Sequence, residues 1–166
     1  MKTLIAIAVV LLLGYLIAAP YLTAYQIQRA ADAGDSAAVA EHIDFESVRE
    51  SLRPQLQGRV SAAAAEAAGD DPLAAALGGA AGRALTDHAV DATVTPEGIA
   101  RLMRGEANPD GAVAQRMENV EASAGYRSLN RFAVVLTDAA SGNEVELIFE
   151  RRGLGWKVTE IQLPDA

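Results

Sequence analysis

The two histidines of the chain, His42 and His88, each lie close to carboxylates. His42 comes two residues before Asp44, and His88 lies between Asp87 and Asp91. On a helix, His88 and Asp91 would share a face at i, i+3, where they could ligate a metal or exchange a proton. A zinc or iron site needs three or four ligands of fixed geometry, and the chain has no cysteine. We therefore predict no catalytic residue, cofactor or metal here, and expect the carboxylates to cap helices or form ion pairs.

Two arginines and a tryptophan are the other residues that could bind a ligand. Arg49 and Arg53 are one helical turn apart, and their guanidinium groups suit phosphate or carboxylate. The plainer interpretation, which we favour, is a solvated helix face with Glu46 and Glu50 as local partners. For Trp156, the sole tryptophan, the alternatives are a position in a pocket wall and a position in the core, and we favour the core. The weak candidates for a binding surface are thus Arg49, Arg53, His88, Asp91 and Trp156.

The length and composition of the chain limit the functions it can have. Its 166 residues allow one compact domain. The lack of cysteine excludes disulfide scaffolds, thiolate metal sites and thiol catalysis. The net charge is −8, with 22 acidic and 14 basic residues, which argues against a nucleic-acid partner because phosphate binding needs clustered Lys and Arg.

The N-terminal segment has the pattern of a membrane anchor. No charged residue occurs from Thr3 to Gln28, and the stretch from Leu4 to Tyr25 would be about 33 Å long as a helix, enough to cross a bilayer. Cleavage after Ala19 or Ala24 would leave Ile17 or Leu22 at the −3 position, and both are poor sites. We therefore predict a transmembrane signal anchor over residues 1–28.

The orientation of this anchor follows from Lys2, which keeps the N-terminus in the cytoplasm. The prediction is a single-pass protein of the inner (cytoplasmic) membrane, with its domain outside the cytoplasm. The alternative is secretion to the periplasm after cleavage. Tyr15, Tyr21 and Tyr25 are spaced as an aromatic belt at the membrane surface would be.

Residues 29–122 contain the capping residues and prolines that mark the starts of successive helices. Predicted starts lie at Asp35, Asp44, Asp71-Pro72 and Thr95-Pro96. Pro54 predicts a kink or break near Arg53. The predicted buried stripes are Phe45, Val48, Leu52, Leu56 and Val60 in one helix, Leu73, Leu77, Ala81 and Leu85 in the next, and Ile99, Leu102 and Met103 in a third. After a turn at residues 108–111, Val113, Met117 and Val120 predict a short last helix.

In residues 123–166, apolar and polar residues alternate with the period of antiparallel strands. Turns at residues 139–143 and 153–155 separate the strands, and a bulge is expected near Thr159-Glu160 because the apolar residues there cannot share one face. The predicted fold class is α+β: an N-terminal transmembrane helix, then several helices packed on a C-terminal three- or four-stranded antiparallel meander. Residues 29–166 would form this single exported domain.

The small residues Gly78 and Gly82 are spaced as in closely packed helix pairs. We favour packing against another helix of the same domain over a self-association surface.

The order of short motifs along the chain resembles a known family. The motifs are Ala18-Ala19-Pro20-Tyr21-Leu22, Tyr25-Gln26-Ile27, Gly34-Asp35, Asp44-Phe45, Arg49-Glu50-Ser51-Leu52, Gln55-Leu56, Val94-Thr95-Pro96-Glu97-Gly98, Arg131-Phe132, Trp156-Lys157-Val158 and Leu163-Pro164. Over nearly the whole chain this order resembles the bacterial family called domain of unknown function 2939. The resemblance implies an envelope protein, mainly of Gram-negative bacteria, with one N-terminal apolar helix. It implies no activity.

Three functions remain open at this point. The leading hypothesis is a non-enzymatic, membrane-tethered domain that binds a partner protein or a small apolar ligand. One alternative is a small hydrolase or isomerase with a pocket on the sheet face, using His88 and nearby aspartates. Another is a structural homo-oligomer, and the sequence leaves the oligomeric state open.

Overall fold

The computed structural model describes residues 2–103 and 120–164, and for residues 2–13, 102 and 103 only the backbone. A long first helix leads into shorter helices and then into a sheet. The helices are α1 (Lys2–Asp32), α2 (Ser36–Glu41), α3 (Phe45–Ala68), α4 (Pro72–Thr93) and α5 (Pro96–Met103), and the strands are β1 (Val120–Ser128), β2 (Arg131–Asp138), β3 (Glu144–Arg152) and β4 (Gly155–Gln162). The predicted α+β class is confirmed.

Short polar side chains start the helices, as predicted. Asp35, Asp44, Asp71 and Thr95 each accept a hydrogen bond from a backbone N–H two or three residues further on. These side chains satisfy N–H groups that have no partner within the first helical turn.

Of the kink or break predicted near Arg53, the break does not occur, because α3 runs through Pro54 as one helix. The side chains on either side of the proline hold this turn against β4: Ser51 Oγ accepts from Ile161 N at 3.2 Å, and Gln55 Nε2 donates to Ile161 O at 2.7 Å. Of the predicted α3 stripe, Val48 and Leu52 are buried, while Phe45, Leu56 and Val60 are half-buried.

Helix α4 packs on the side opposite to the predicted one. Its buried residues are Gly79, Gly82, Thr86 and Val90, whereas the leucines of the predicted stripe are exposed. A Cβ added at Gly78 would lie 3.3 Å from the Cβ of Ala64 on α3, so the helices are in close contact along the small residues. The favoured interpretation of the Gly78-x-x-x-Gly82 spacing, packing within the domain, agrees with this contact. Leucines cannot enter so narrow an interface, which is the physical reason for the correction.

The four strands form one antiparallel sheet in the order β1-β2-β3-β4. Ile148 pairs with Glu160 while Phe149 pairs with Val158, so Thr159 is the extra residue of the predicted bulge. Val120, expected in a last helix, begins β1 instead. The rest of that predicted helix, with Val113 and Met117, and the turn at 108–111 lie outside the described residues.

The core lies between the sheet and the helices. Phe132, Phe149, Trp156 and Val158 from the sheet pack with Val48 and Leu52 of α3 and Ala19 of α1. Residues 42–44 extend the sheet beyond β4, where Val158 N donates to His42 O at 2.8 Å and Asp44 N donates to Val158 O at 2.9 Å.

The second half of α1 belongs to this core. Ala19, Pro20 and Thr23 are buried, and Tyr21, expected in an aromatic belt, packs edge-on against Phe132 with ring centroids 4.6 Å apart. Among residues with described side chains, no helix combines the length and apolar character that a membrane crossing requires. The anchor predicted over residues 1–28 falls in part on residues 1–13, whose side chains lie outside that set.

Candidate functional site

The two candidate arginines line the contact between α3 and α4. Arg53 Nη2 lies 2.9 Å from Asp91 Oδ1, and its Nε lies 3.1 Å from Asp87 Oδ1 without hydrogen-bond geometry. Gln57 Nε2 donates to Asp87 Oδ1 at 2.8 Å, and Arg49 Nε donates to Val94 O at 3.0 Å. These partners lie on α4 or, for Val94, directly after it, whereas the sequence had predicted Glu46 and Glu50 as local partners. Both guanidinium groups are thus engaged within the fold.

The histidines lie on different elements. His88 is exposed on α4, while its neighbour Asp91 is bound by Arg53. His42 follows α2 beside the edge of β4. Across residues 2–103 and 120–164, no group of three or more metal-ligating side chains comes together. The structure therefore brings Arg53 and Asp91 together and leaves His88 outside that pair.

Trp156 is a core residue at one end of the sheet. Its ring centroid lies 5.9 Å from that of Tyr126 and 6.5 Å from that of Phe132. The guanidinium carbon of Arg151 stands 5.0 Å above the indole, a cation–π geometry. The indole is therefore covered, and Trp156 is buried in the core.

The outward face of α4 is apolar and uncovered in the described part of the chain. Leu73, Leu77 and Leu85 are 67%, 63% and 71% exposed, and we call them the leucine face. This surface was not predicted, because the spacing of these leucines is also that of a buried helical stripe. The available signal was the run of glycines at 78, 79 and 82, which marks the packed side of the same helix.

The β1–β2 and β3–β4 turns carry two further exposed leucines. Leu129 is 87% exposed and Leu154 is 81% exposed. Between these turns and α1, the Tyr126 hydroxyl donates to the carbonyl oxygens of Leu16 and Ile17, at 3.1 and 3.0 Å. Partial burial raises the pKa of Tyr126 above its ordinary value, an effect that nearby Arg151 reduces. Sequence patterning did not predict either turn as a surface of interest.

The sheet face turned away from the helices is covered mainly by charged side chains. Arg127 Nη2 lies 2.6 Å from Glu146 Oε1, and Arg131 Nη2 lies 2.7 Å from Glu160 Oε2. An open hollow of about 190 Å³ lies beside them, lined by Ser123, Ala124, Gly125, Arg127, Ala133 and Val135. Neither histidine lines this hollow, so it does not match the pocket of the enzyme hypothesis.

A family model for proteins of unknown function, DUF2939, matches residues 9–102. The chain belongs to the DUF2939 family. The match spans more than half of the 166 residues and runs from α1 into α5. In this DUF2939 chain, the α3–α4 contact and the leucine face lie inside the matched region, while the sheet lies beyond it. The strand motifs of the sequence resemblance are therefore outside the match.

No curated protein and no solved structure matches this DUF2939 chain.

Proposed function

We propose that this protein is a membrane-tethered, non-enzymatic binding domain that takes a partner protein on the leucine face of α4. The observation that supports it most directly is the orientation of α4. The helix uses its glycines to contact α3, so Leu73, Leu77 and Leu85 are left 63% to 71% exposed on one side. Aligned exposed leucines are unfavourable in water, and contiguous apolar patches typically mark interaction sites.

The charge of the chain favours a different protein as the partner over a second copy. Each copy carries a net charge of −8, so two copies repel one another. Asp70 and Asp71 lie exposed at the start of α4, beside Leu73. A partner with an apolar patch bordered by basic residues would complement both features.

The tether is the apolar N-terminal segment. The uncharged sequence from Thr3 to Ile17, ahead of the part of α1 that packs in the core, supports a single-pass anchor, and Lys2 supports an N-terminus on the cytoplasmic side. The proposed location is the inner membrane, with the domain outside the cytoplasm.

Site-specific crosslinking in native membranes tests the partner. Because the chain has no cysteine, Leu77→Cys gives one attachment point for a thiol-linked photocrosslinker, and Ala63→Cys, at an exposed position on α3, is the matched control. We expect an adduct of one defined mass at position 77 and none at position 63. Adding Leu73→Gln and Leu85→Gln should abolish it without loss of fold, since exposed substitutions change stability by only about 0.5 kcal/mol.

Three outcomes would contradict the proposal. An adduct of twice the chain mass would identify a homo-oligomer. Equal labelling at positions 63 and 77 would show chance collision, and an adduct that persists in the glutamine variants would show that the leucine face is not the surface bound.

A further inference from the structure

Two turns of the sheet place exposed leucines at the same end of the molecule. In an antiparallel sheet of order β1-β2-β3-β4, the β1–β2 and β3–β4 turns share one end, and the β2–β3 turn lies at the other. Leu129 and Leu154 stand in the two turns that share an end, at 87% and 81% exposure. We call residues 127–131 and 151–155 the paired tips.

Arginines lie on both sides of Leu129 and before Leu154. The tips read Arg127-Ser128-Leu129-Asn130-Arg131 and Arg151-Arg152-Gly153-Leu154-Gly155, with no acidic residue in either. In a chain with net charge −8, such a concentration of basic residues is unusual. An apolar residue flanked by arginines suits the boundary between acyl chains and phosphate groups, because the side chain inserts while the guanidinium groups meet the phosphates.

The ion pairs of these arginines do not prevent phosphate binding. Arg127, Arg131 and Arg152 contact carboxylates of the sheet and of α3, with side chains 45% to 58% exposed. Exposed ion pairs contribute little to stability, so exchanging the carboxylate partner for a lipid phosphate costs little. Arg151 Nε is buried and has no hydrogen-bond partner among the described residues.

Helix α1 joins the core beside the paired tips. Tyr126, which holds the carbonyl oxygens of Leu16 and Ile17, precedes Leu129 by three residues, within about 10 Å along the strand. Trp156, whose ring lies 5.9 Å from that of Tyr126, follows Leu154 by two residues. Any membrane reached by the residues before Leu16 is therefore approached from this end of the sheet.

The length of the free part of α1 brings the bilayer close. Ala19 is the buried residue that α1 contributes to the described core, and the residues from Thr3 to Ile17 that precede it span about 22 Å at about 1.5 Å per residue. The hydrocarbon core of a bilayer is about 30 Å thick. Because this length is shorter than the hydrocarbon core, a span requires both local thinning of the bilayer and a membrane surface at the level of Leu16, and therefore of Tyr126 and the tips.

We infer that the paired tips form a second membrane contact, in which Leu129 and Leu154 insert into the surface of an anionic bilayer and the flanking arginines bind lipid phosphates. This inference rests on the proposed anchor. The tips would fix the orientation of the domain on the membrane, which one helix alone leaves free to rotate about its axis.

Fluorescence quenching in reconstituted vesicles tests this contact with the full-length chain. Leu129→Cys and Leu154→Cys are each labelled with an environment-sensitive dye, and Ala139→Cys in the β2–β3 turn, at the opposite end of the sheet, is the control. In phosphatidylglycerol vesicles we expect blue-shifted emission at 129 and 154, and none at 139. Because interfacial insertion is about 5–10 Å deep, a nitroxide near the top of the acyl chain should quench more than one near its end.

Flotation of the same vesicles separates failure of the anchor from failure of the tips. If the unlabelled protein does not float with them, both the anchor and the inference are wrong. If it floats but dyes at 129 and 154 behave like the dye at 139, the anchor stands and the inference is wrong. If quenching is equal in phosphatidylcholine vesicles, the role assigned to the arginines is wrong.

Discussion

The contact between α3 and α4 makes Gly82 intolerant of even one methyl group. A Cβ built on Gly82 would overlap Cγ1 of Val60, a stiff β-branched side chain, and would lie 3.6 Å from Val60 Cβ. Overpacking of this kind costs about 1–3 kcal/mol, while replacing a helical glycine with alanine returns up to about 1 kcal/mol of helix propensity. Gly82→Ala should therefore lower the free energy of unfolding by about 1–2 kcal/mol.

Gly79→Ala is the matched control on the same helix. There the nearest atom to an added Cβ is Nη1 of Arg83 at 3.8 Å, the end of an exposed and flexible side chain. The propensity gain is then unopposed, so this variant should be more stable by about 0.5–1 kcal/mol. Glycine-to-alanine substitutions at positions 79 and 82 should therefore change the free energy of unfolding in opposite directions.

Urea unfolding of the full-length chain in mild detergent measures both variants, with the fluorescence of buried Trp156 as the probe. Val60→Ala identifies the cause, because it removes the methyl group that the new Cβ would meet. Combined with Gly82→Ala, it should give a loss at least about 1 kcal/mol smaller than the sum of the single losses. Additive losses, or a Gly82→Ala variant as stable as Gly79→Ala, would refute the close-packing explanation.

Three further predictions concern other contacts. Gly98→Ala places a Cβ over the carbonyl oxygen of Thr93, so its urea midpoint should fall, with a loss of about 1–3 kcal/mol. Asp91→Asn removes an ion pair with Arg53 whose side chains are 35% and 56% exposed, so the loss should be at most about 1 kcal/mol and should vanish in high salt. Folding raises the pKa of Tyr126, so the neutral phenol of this residue contributes to stability fully below pH about 10, and this contribution is lost as the pH rises through the raised pKa. In an absorbance titration of tyrosine ionisation, Tyr126→Phe should remove the step at highest pH.

Local patterns predicted the helix starts and the strand bulge because both depend on a few neighbouring residues. An aspartate or threonine caps a helix wherever it precedes one, as Asp44 and Thr95 do. Two apolar residues at the wrong alternation force an extra residue between them, as at Thr159. Neither feature needs information from distant parts of the chain.

The packed side of α4 could not be read from leucine spacing alone. Both a leucine stripe and a glycine stripe run along this helix, and periodicity does not show which one meets α3. The choice depends on the distance between the helices, which Gly78 and Gly82 make small. The partners of Arg53 were missed for the same reason, since Asp87 and Asp91 become neighbours only after α4 docks.

The candidate site was predicted less completely than the fold. Surfaces such as the leucine face and the paired tips are defined by what leaves them uncovered, and hydrophobic residues in a sequence are assigned to cores by default. Leu129 and Leu154 became informative only when strand order placed their turns at one end of the sheet.

Helix α1 continues from Lys2 to Asp32 without a linker between its apolar start and the packed core. A flexible tether of similar length would let a domain sweep a volume and tumble within it. With the proposed anchor, a continuous helix would instead keep the domain at one height above the bilayer. Encounters with a partner would then become a search in the plane of the membrane, and a partner anchored in the same membrane would meet the leucine face far more often than one free in solution.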